Sequence, residues 1–157
     1  VTTIAWDGRF LAADGGSMLG NLQIPAEKIV VGEVRRTHPA LPFKTGPAFL
    51  TGAGNAGEAK ALIRWLQGIG DEAQPAGEYH ILVVNSRGAW SIDPVLDVTF
   101  HGRRPIAIGA GAEFAMGALA MRATARRAVM VAKQYGNPAW SFGKTSVFDS
   151  RGLRRGR

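Results

Sequence analysis

The sequence predicts an α+β protein in which two sheets pack face to face with helices outside them. Three observations carry this. Strand-like and helix-like segments come in blocks (strands, one helix, strands, two helices, a strand) instead of alternating strictly, which argues against a doubly wound parallel sheet. Two strand pairs are marked by short turn signals, Asp7-Gly8 and Asn85-Ser86-Arg87-Gly88. The chain has 157 residues, 46% hydrophobic and 20% charged, which suits one domain able to bury a core without disulfide staples.

Each element follows from local signals. Thr2 to Trp6 and Arg9 to Ala13 form a first hairpin around Asp7-Gly8. Residues 15–27 are glycine-rich and weakly patterned, so they read as a loop. Ile29 to Val31 is a short strand. Residues 32–47 hold Pro39, Pro42 and Pro47 with Arg35, Arg36, His38 and Lys44, which reads as an exposed excursion. Ala48 to Thr51 is the next strand. Asn55 then caps a helix, with Glu58 three residues on and Ala59, Leu62, Ile63 and Leu66 at helical spacing. Gly68 and Gly70 end it, and residues 71–78 are a polar loop. His80 to Val84 and Ala89 to Ile92 flank the second hairpin turn. Ile106 to Ile108 runs into Gly109-Ala110-Gly111. Two helices follow, about Glu113 to Met121 and about Ala125 to Tyr135, the second behind a Thr124 cap and closed by Gly136. Thr145 to Phe148 is a last strand.

Composition removes several chemistries. There is no cysteine, so disulfides, thiolate metal sites and a cysteine nucleophile are excluded, and a reducing, cytoplasmic setting is expected. No apolar run approaches the roughly 20 residues that span a bilayer, and polar Thr2, Thr3, Asp7 and Arg9 speak against a signal peptide in Val1 to Ala13. His38, His80 and His101 lack metal-ligand spacing. Ser86 and Ser141 have no nucleophile-elbow setting, and Gly143-Lys144-Thr145 lacks the upstream glycine of a phosphate loop. No metal or cofactor is expected. Net charge is +7, and Arg151, Arg154, Arg155 and Arg157 concentrate part of it in a basic tail, 150–157, after a folded domain over 1–149. The plain reading of the tail is a frayed, solvated terminus. Contact with an acidic partner is the alternative, and no nucleic-acid-binding signature stands elsewhere in the chain.

Three segments, in order, carry a family resemblance. Thr2-Thr3-Ile4-Ala5-Trp6-Asp7-Gly8 followed by Leu11-Ala12-Ala13-Asp14 resembles the opening of proteasome β-type peptidases, especially bacterial HslV and short phage and prophage members. Gly52-Ala53-Gly54-Asn55, entering a capped helix, resembles the family's glycine turn. Ile106 to Ala118, through Gly109-Ala110-Gly111, is similar to its strand–glycine–helix segment. The resemblance implies a four-layer αββα sandwich of the N-terminal-nucleophile hydrolase type. It also implies a threonine peptidase working in a ring-shaped homo-oligomer on peptides or unfolded protein, with an ATPase unfoldase as a possible partner.

The resemblance assigns roles residue by residue. Thr2 takes the nucleophile position. A threonine hydroxyl is a poor nucleophile, but a free α-amine on the same residue can serve as its base, and such an amine titrates near neutrality. Asp14 is the carboxylate that orients a lysine, and Lys28, 14 residues later, fits that lysine best; Lys44 and Arg35 are weaker alternatives. An ammonium near Thr2 favours the reactive form of its hydroxyl. Gly54 resembles the oxyanion-hole glycine, a donor typically worth about 3 kcal/mol. At the glycine turn around Gly111, Ala110 stands where active members carry serine. Asn137, matched with a one-residue insertion, stands where they carry aspartate. These two departures predict weak activity, or a scaffold kept for structure or assembly. The mechanism also requires Thr2 to be the first residue. Two readings of Val1 stay open: an alternative start codon read literally, which is favoured, or the remnant of a longer leader.

Overall fold

The computed structural model describes residues 2–19, 21–70, 77–139 and 141–155. Val1, most of the 71–78 loop, Trp140 and the last two residues, Arg157 among them, lie outside the described residues. The fold is a four-layer αββα sandwich. One sheet has four strands in the order β10-β1-β2-β11: β1 Thr3–Trp6, β2 Phe10–Ala13, β10 Ile106–Gly109 and β11 Ser146–Asp149. The other has five, in sequence order: β5 Ile29–Val34, β6 Gly46–Gly54, β7 Tyr79–Asn85, β8 Gly88–Ile92 and β9 Val98–Gly102. All their pairings are antiparallel. Helix α1 (Ala56–Leu66) covers the five-stranded sheet, and α2 (Ala112–Ala120) and α3 (Ala125–Tyr135) cover the four-stranded one.

The period-2 alternation of the strands builds three apolar layers. Ile4, Trp6, Leu11 and Ala13 face inward and meet Phe49, Ala53, Leu82 and Val84 between the sheets. The alternate residues of β6 and β7, Ala48, Leu50, Ile81 and Val83, face α1 through Leu62, Ile63, Trp65 and Leu66. On the outer face of β1 and β2 the residues are Ala5 and Ala12, and they meet Ala115, Ala125, Ala128, Val129 and Ala132. Small side chains on both partners bring α3 close to the sheet. Burying a single large aliphatic side chain contributes roughly 1.5–3 kcal/mol, so the layered alternation is what holds the strands in register.

The caps follow the sequence. Asn55 Oδ1 accepts from the backbone N–H groups of Gly57 and Glu58, and Thr124 Oγ1 accepts from that of Arg127. The reciprocal half of a capping box at Glu58 does not form, because the Asn55 N–H already donates to the Glu78 carbonyl at 2.7 Å.

Four segments depart from the sequence reading, one of them Val98–Gly102, which it left without an element and which forms β9 against β8. Residues 15–27 are not a plain loop but carry a hairpin, β3 Gly16–Leu19 and β4 Leu22–Pro25. The 32–47 excursion is anchored: Leu41 and Phe43 are buried in the α1 layer, and the His38 ring meets Trp65 edge-on. Isolated apolar residues between prolines give no periodic signal, yet two are enough to tie the segment down. Ser150–Arg155 forms a 3-10 helix whose Leu153 joins the layer between the sheets, while Ser150 N–H donates to the Arg9 carbonyl. The start of the basic tail is therefore packed, not frayed.

Candidate active site

Thr2 and Thr3 enter β1 at one end of the four-stranded sheet. Thr3 pairs with Gly109 of β10, and the Gly111 N–H donates to the Thr2 carbonyl at 3.4 Å. Glycine is required here by space. A Cβ on Gly109, at φ +98°, would collide with the Thr2 carbonyl oxygen, and one on Gly111 would collide with Thr3 Oγ1. The Gly109-Ala110-Gly111 turn thus lets the start of α2 lie against the backbone of the first two described residues.

Asp14, just past β2, is folded back onto the same place. Its N–H donates to the Thr3 carbonyl and its Oδ1 accepts from the Thr3 N–H at 2.9 Å. The other oxygen, Oδ2, accepts from the Phe142 N–H at 3.2 Å. Gly15 and Gly16, which read as turn residues, serve this contact: a Cβ on Gly15 would strike the Lys144 carbonyl, and one on Gly16 the Phe142 ring. Lys28 precedes β5, and its carbonyl oxygen accepts from Thr51 Oγ1 at 2.6 Å, which fixes its backbone. From there Lys28 Nζ donates to Asp14 Oδ1 at 2.9 Å and to Thr2 Oγ1 at 2.8 Å. The Asp14 side chain is fully buried and that of Lys28 is 8% exposed. Burial holds the Lys28 ammonium below the ordinary lysine range, although the adjacent Asp14 carboxylate pulls in the opposite direction.

Thr2, Lys28 and Gly54 line one cleft of about 460 Å³ between the β3–β4 hairpin and α1. Gly54 also lines a second cleft, about 1200 Å³, with Gly109, Ala110, Glu58 and Tyr79. Gly54 has φ +103°, and a Cβ there would run into the Glu78 carbonyl, so a side chain is excluded at this position. A site arranged this way has a hydroxyl held by a buried cation, an apolar-walled cleft beside it, and open backbone at a glycine.

The sequence-derived residues divide clearly. Thr2, Asp14 and Lys28 are joined by hydrogen bonds, Gly54 shares their cleft, and Gly111 bonds the Thr2 backbone. Ala110 is exposed in the turn between the glycines and carries no polar group. Asn137 is exposed, and its Oδ1 accepts from Ala139 N–H at 2.9 Å; no described contact joins it to Thr2. Of the alternative cations, Lys44 is exposed and Arg35 pairs with Glu33. One residue passed over on sequence sits nearby. Ser141 is 2% exposed, adjoins the Phe142 N–H that binds Asp14, and its hydroxyl has no partner among the described residues. No local motif signals it; only the return of the chain past Gly15 brings it in. A further polar pair, Ser91 Oγ and His101 Nε2 at 2.8 Å, lies on β8 and β9 and lines neither cleft.

Comparison with solved structures decides the fold. Thiobacillus denitrificans BPH superposes with a TM-score of 0.66 at 19% identity, over 94% of this chain and 96% of that one. The same protein in complex with epoxomicin gives 0.65 at 20% identity, over 94% and 96%. Eukaryotic HslV from Trypanosoma brucei gives 0.61 at 19%, over 94% and 97%. The chain has the αββα fold of HslV. At this identity the likeness speaks for the fold and its end-to-end coverage. No family model matches the sequence, and no curated protein does.

Proposed function

We propose that the protein is a threonine-type endopeptidase whose nucleophile is Thr2, acting inside a ring-shaped homo-oligomer. The observation that carries this reading is the 2.8 Å hydrogen bond from Lys28 Nζ to Thr2 Oγ1, with Lys28 itself held by buried Asp14. Such an arrangement costs desolvation of both charges and has no structural need for a threonine hydroxyl at its end.

With Thr2 as first residue, its neutral α-amine takes the proton of Oγ as Oγ attacks the substrate carbonyl carbon. Lys28 stabilises the negative charge that grows on Oγ, and the Gly54 N–H receives the carbonyl oxygen as it becomes an oxyanion. Collapse breaks the carbon–nitrogen bond, and the α-ammonium gives its proton to the leaving amine. A water molecule, deprotonated by the same amine, then cleaves the acyl ester and restores Thr2. The natural substrates would be peptides or unfolded protein in the cytoplasm, with an ATPase unfoldase as feeder. Ring assembly follows from the need to hide an unspecific protease.

The test uses a chain that starts at Thr2. Because BPH has been solved with epoxomicin, that compound is the probe: peptide mapping should find one adduct, on Thr2, and none in Thr2→Ala. Absence of both adduct and peptide hydrolysis overturns the reading. Light scattering should give a multiple of the 16.7 kDa chain, and a clean monomer would sink the ring. A second reading, a scaffold with impaired catalysis used in structure or assembly (as in a phage or prophage particle), is favoured by Ala110 and by Asn137 being turned to its own loop. It predicts rings without labelling.

A further inference from the structure

The 460 Å³ cleft beside Thr2 carries a charge pattern of its own. Helix α1 lines it with Ala59, Lys60, Ile63 and Arg64. Ala59 and Ile63 are buried and form an apolar wall, while Lys60 and Arg64 are exposed. Lys60 and Arg64 stand four residues apart on the helix, where like charges repel and weaken it. Neither is relieved by a carboxylate: the ion pairs among the described residues are Arg9–Asp149, Asp14–Lys28, Glu33–Arg35 and Arg151–Asp149. Glu27 also lines the cleft but pairs with neither cation, and the charge of Lys28 is already engaged by Asp14. Among the described residues, the cleft therefore presents two cations without an ion pair against one carboxylate, above an apolar wall, and Thr2 lines the same cleft.

From this pattern we infer that the cleft takes an acidic substrate side chain, so that the protein cleaves on the carboxyl side of glutamate. The methylenes of glutamate would lie on Ala59 and Ile63, and its carboxylate would meet Lys60 and Arg64. This rests on the peptidase reading above, with the acyl residue of the substrate seated in the Thr2 cleft.

Peptides identical except for Glu, Gln, Leu or Arg before the scissile bond separate the possibilities. With the chain starting at Thr2, kcat/KM for Glu should exceed that for Gln by about fivefold, two exposed ion pairs being modest in size. That ratio should shrink in high salt. It should fall to unity in Lys60→Gln/Arg64→Gln, and the preference should turn to Arg in Lys60→Glu/Arg64→Glu. Leu or Arg preferred by the natural cleft, or a Glu-to-Gln ratio indifferent to both double variants, overturns the inference while leaving the peptidase intact. If no peptide is cut and epoxomicin labels nothing, the peptidase reading fails, and binding of the same peptides to Thr2→Ala, followed by NMR, judges the cleft alone. Glu bound more tightly than Gln, with the difference lost in Lys60→Gln/Arg64→Gln, upholds it; equal binding rejects it.

Discussion

The two flanks of Thr2 are built differently. On one flank a buried carboxylate and a buried lysine converge on its hydroxyl, with Asp14 accepting from Thr3 N–H, Lys28 Nζ and Phe142 N–H. On the other, where the backbone turns through Gly109-Ala110-Gly111, the described contact to Thr2 is the backbone bond from Gly111, Ala110 carries no polar group, and Asn137, bound within its own turn, has no described contact to Thr2. On the proposed peptidase reading, the difference separates two tasks that a threonine nucleophile combines. On that reading, holding and polarising the hydroxyl falls to the first flank, where Lys28 is hydrogen-bonded to both Thr2 and Asp14. Handling the proton on the amine would fall to the second, which carries Ala110 and Asn137 where the resemblance to active peptidases implies a serine and an aspartate.

Substitutions can break or sharpen this contrast. The largest effect is expected on the first flank: Lys28→Met should cut peptide hydrolysis by about 10² to 10⁴, the usual range for losing a group that assists proton transfer or its charge. Circular dichroism should find the fold kept. If Lys44→Met has that effect instead, the flank has been misassigned. Asp14→Ala leaves the Lys28 ammonium buried without its counter-charge and should cost about 3–5 kcal/mol in urea unfolding. A loss below 1 kcal/mol would mean that the pair is not buried in solution.

On the second flank, Ala110→Ser with Asn137→Asp should raise the hydrolysis rate if a hydroxyl and a carboxylate there serve the amine; no gain would argue against that role. Ser141→Ala removes a buried hydroxyl that has no partner among the described residues. Its effect on stability should stay within about 0.5 kcal/mol, and a fall in rate at unchanged stability would give that hydroxyl a part in proton handling.

The pH dependence of stability gives a smaller and independent sign. Burial lowers the Lys28 pKa in the folded chain. Between that lowered value and the ordinary lysine value the folded state binds fewer protons than the unfolded one, so stability rises with pH across the window. Denaturation of Lys28→Met over the same window should lack that rise.

The Asp14–Lys28 pair was legible through the family resemblance, which implies an aspartate after the second strand and a lysine opening the next; the local signals alone, an aspartate before two glycines and a lysine before an apolar strand, speak only of a turn and a strand edge. The helices were legible from their caps and spacing, and Asn55 and Thr124 bind as their positions suggested. The β3–β4 hairpin was missed although Gly20-Asn21 between its strands is a two-residue turn signal, because the short strands on either side alternate weakly. Ser141 was hidden for a different reason. Its burial depends on contacts across more than 100 residues, such as Phe142 with Asp14 and Gly15, and no local pattern encodes a long-range approach. The anchoring of 150–155 by Leu153 was masked by the arginines around it.

The central claim is that Lys28, held by Asp14, tunes the Thr2 hydroxyl. The most direct measurement is the rate of covalent labelling of Thr2 by epoxomicin in a chain beginning at Thr2, set beside the same chain with Lys28→Met. The account predicts labelling of the first and at least a hundredfold slower labelling of the second, about the lower end of what such assistance contributes. Equal rates in the two chains would contradict it.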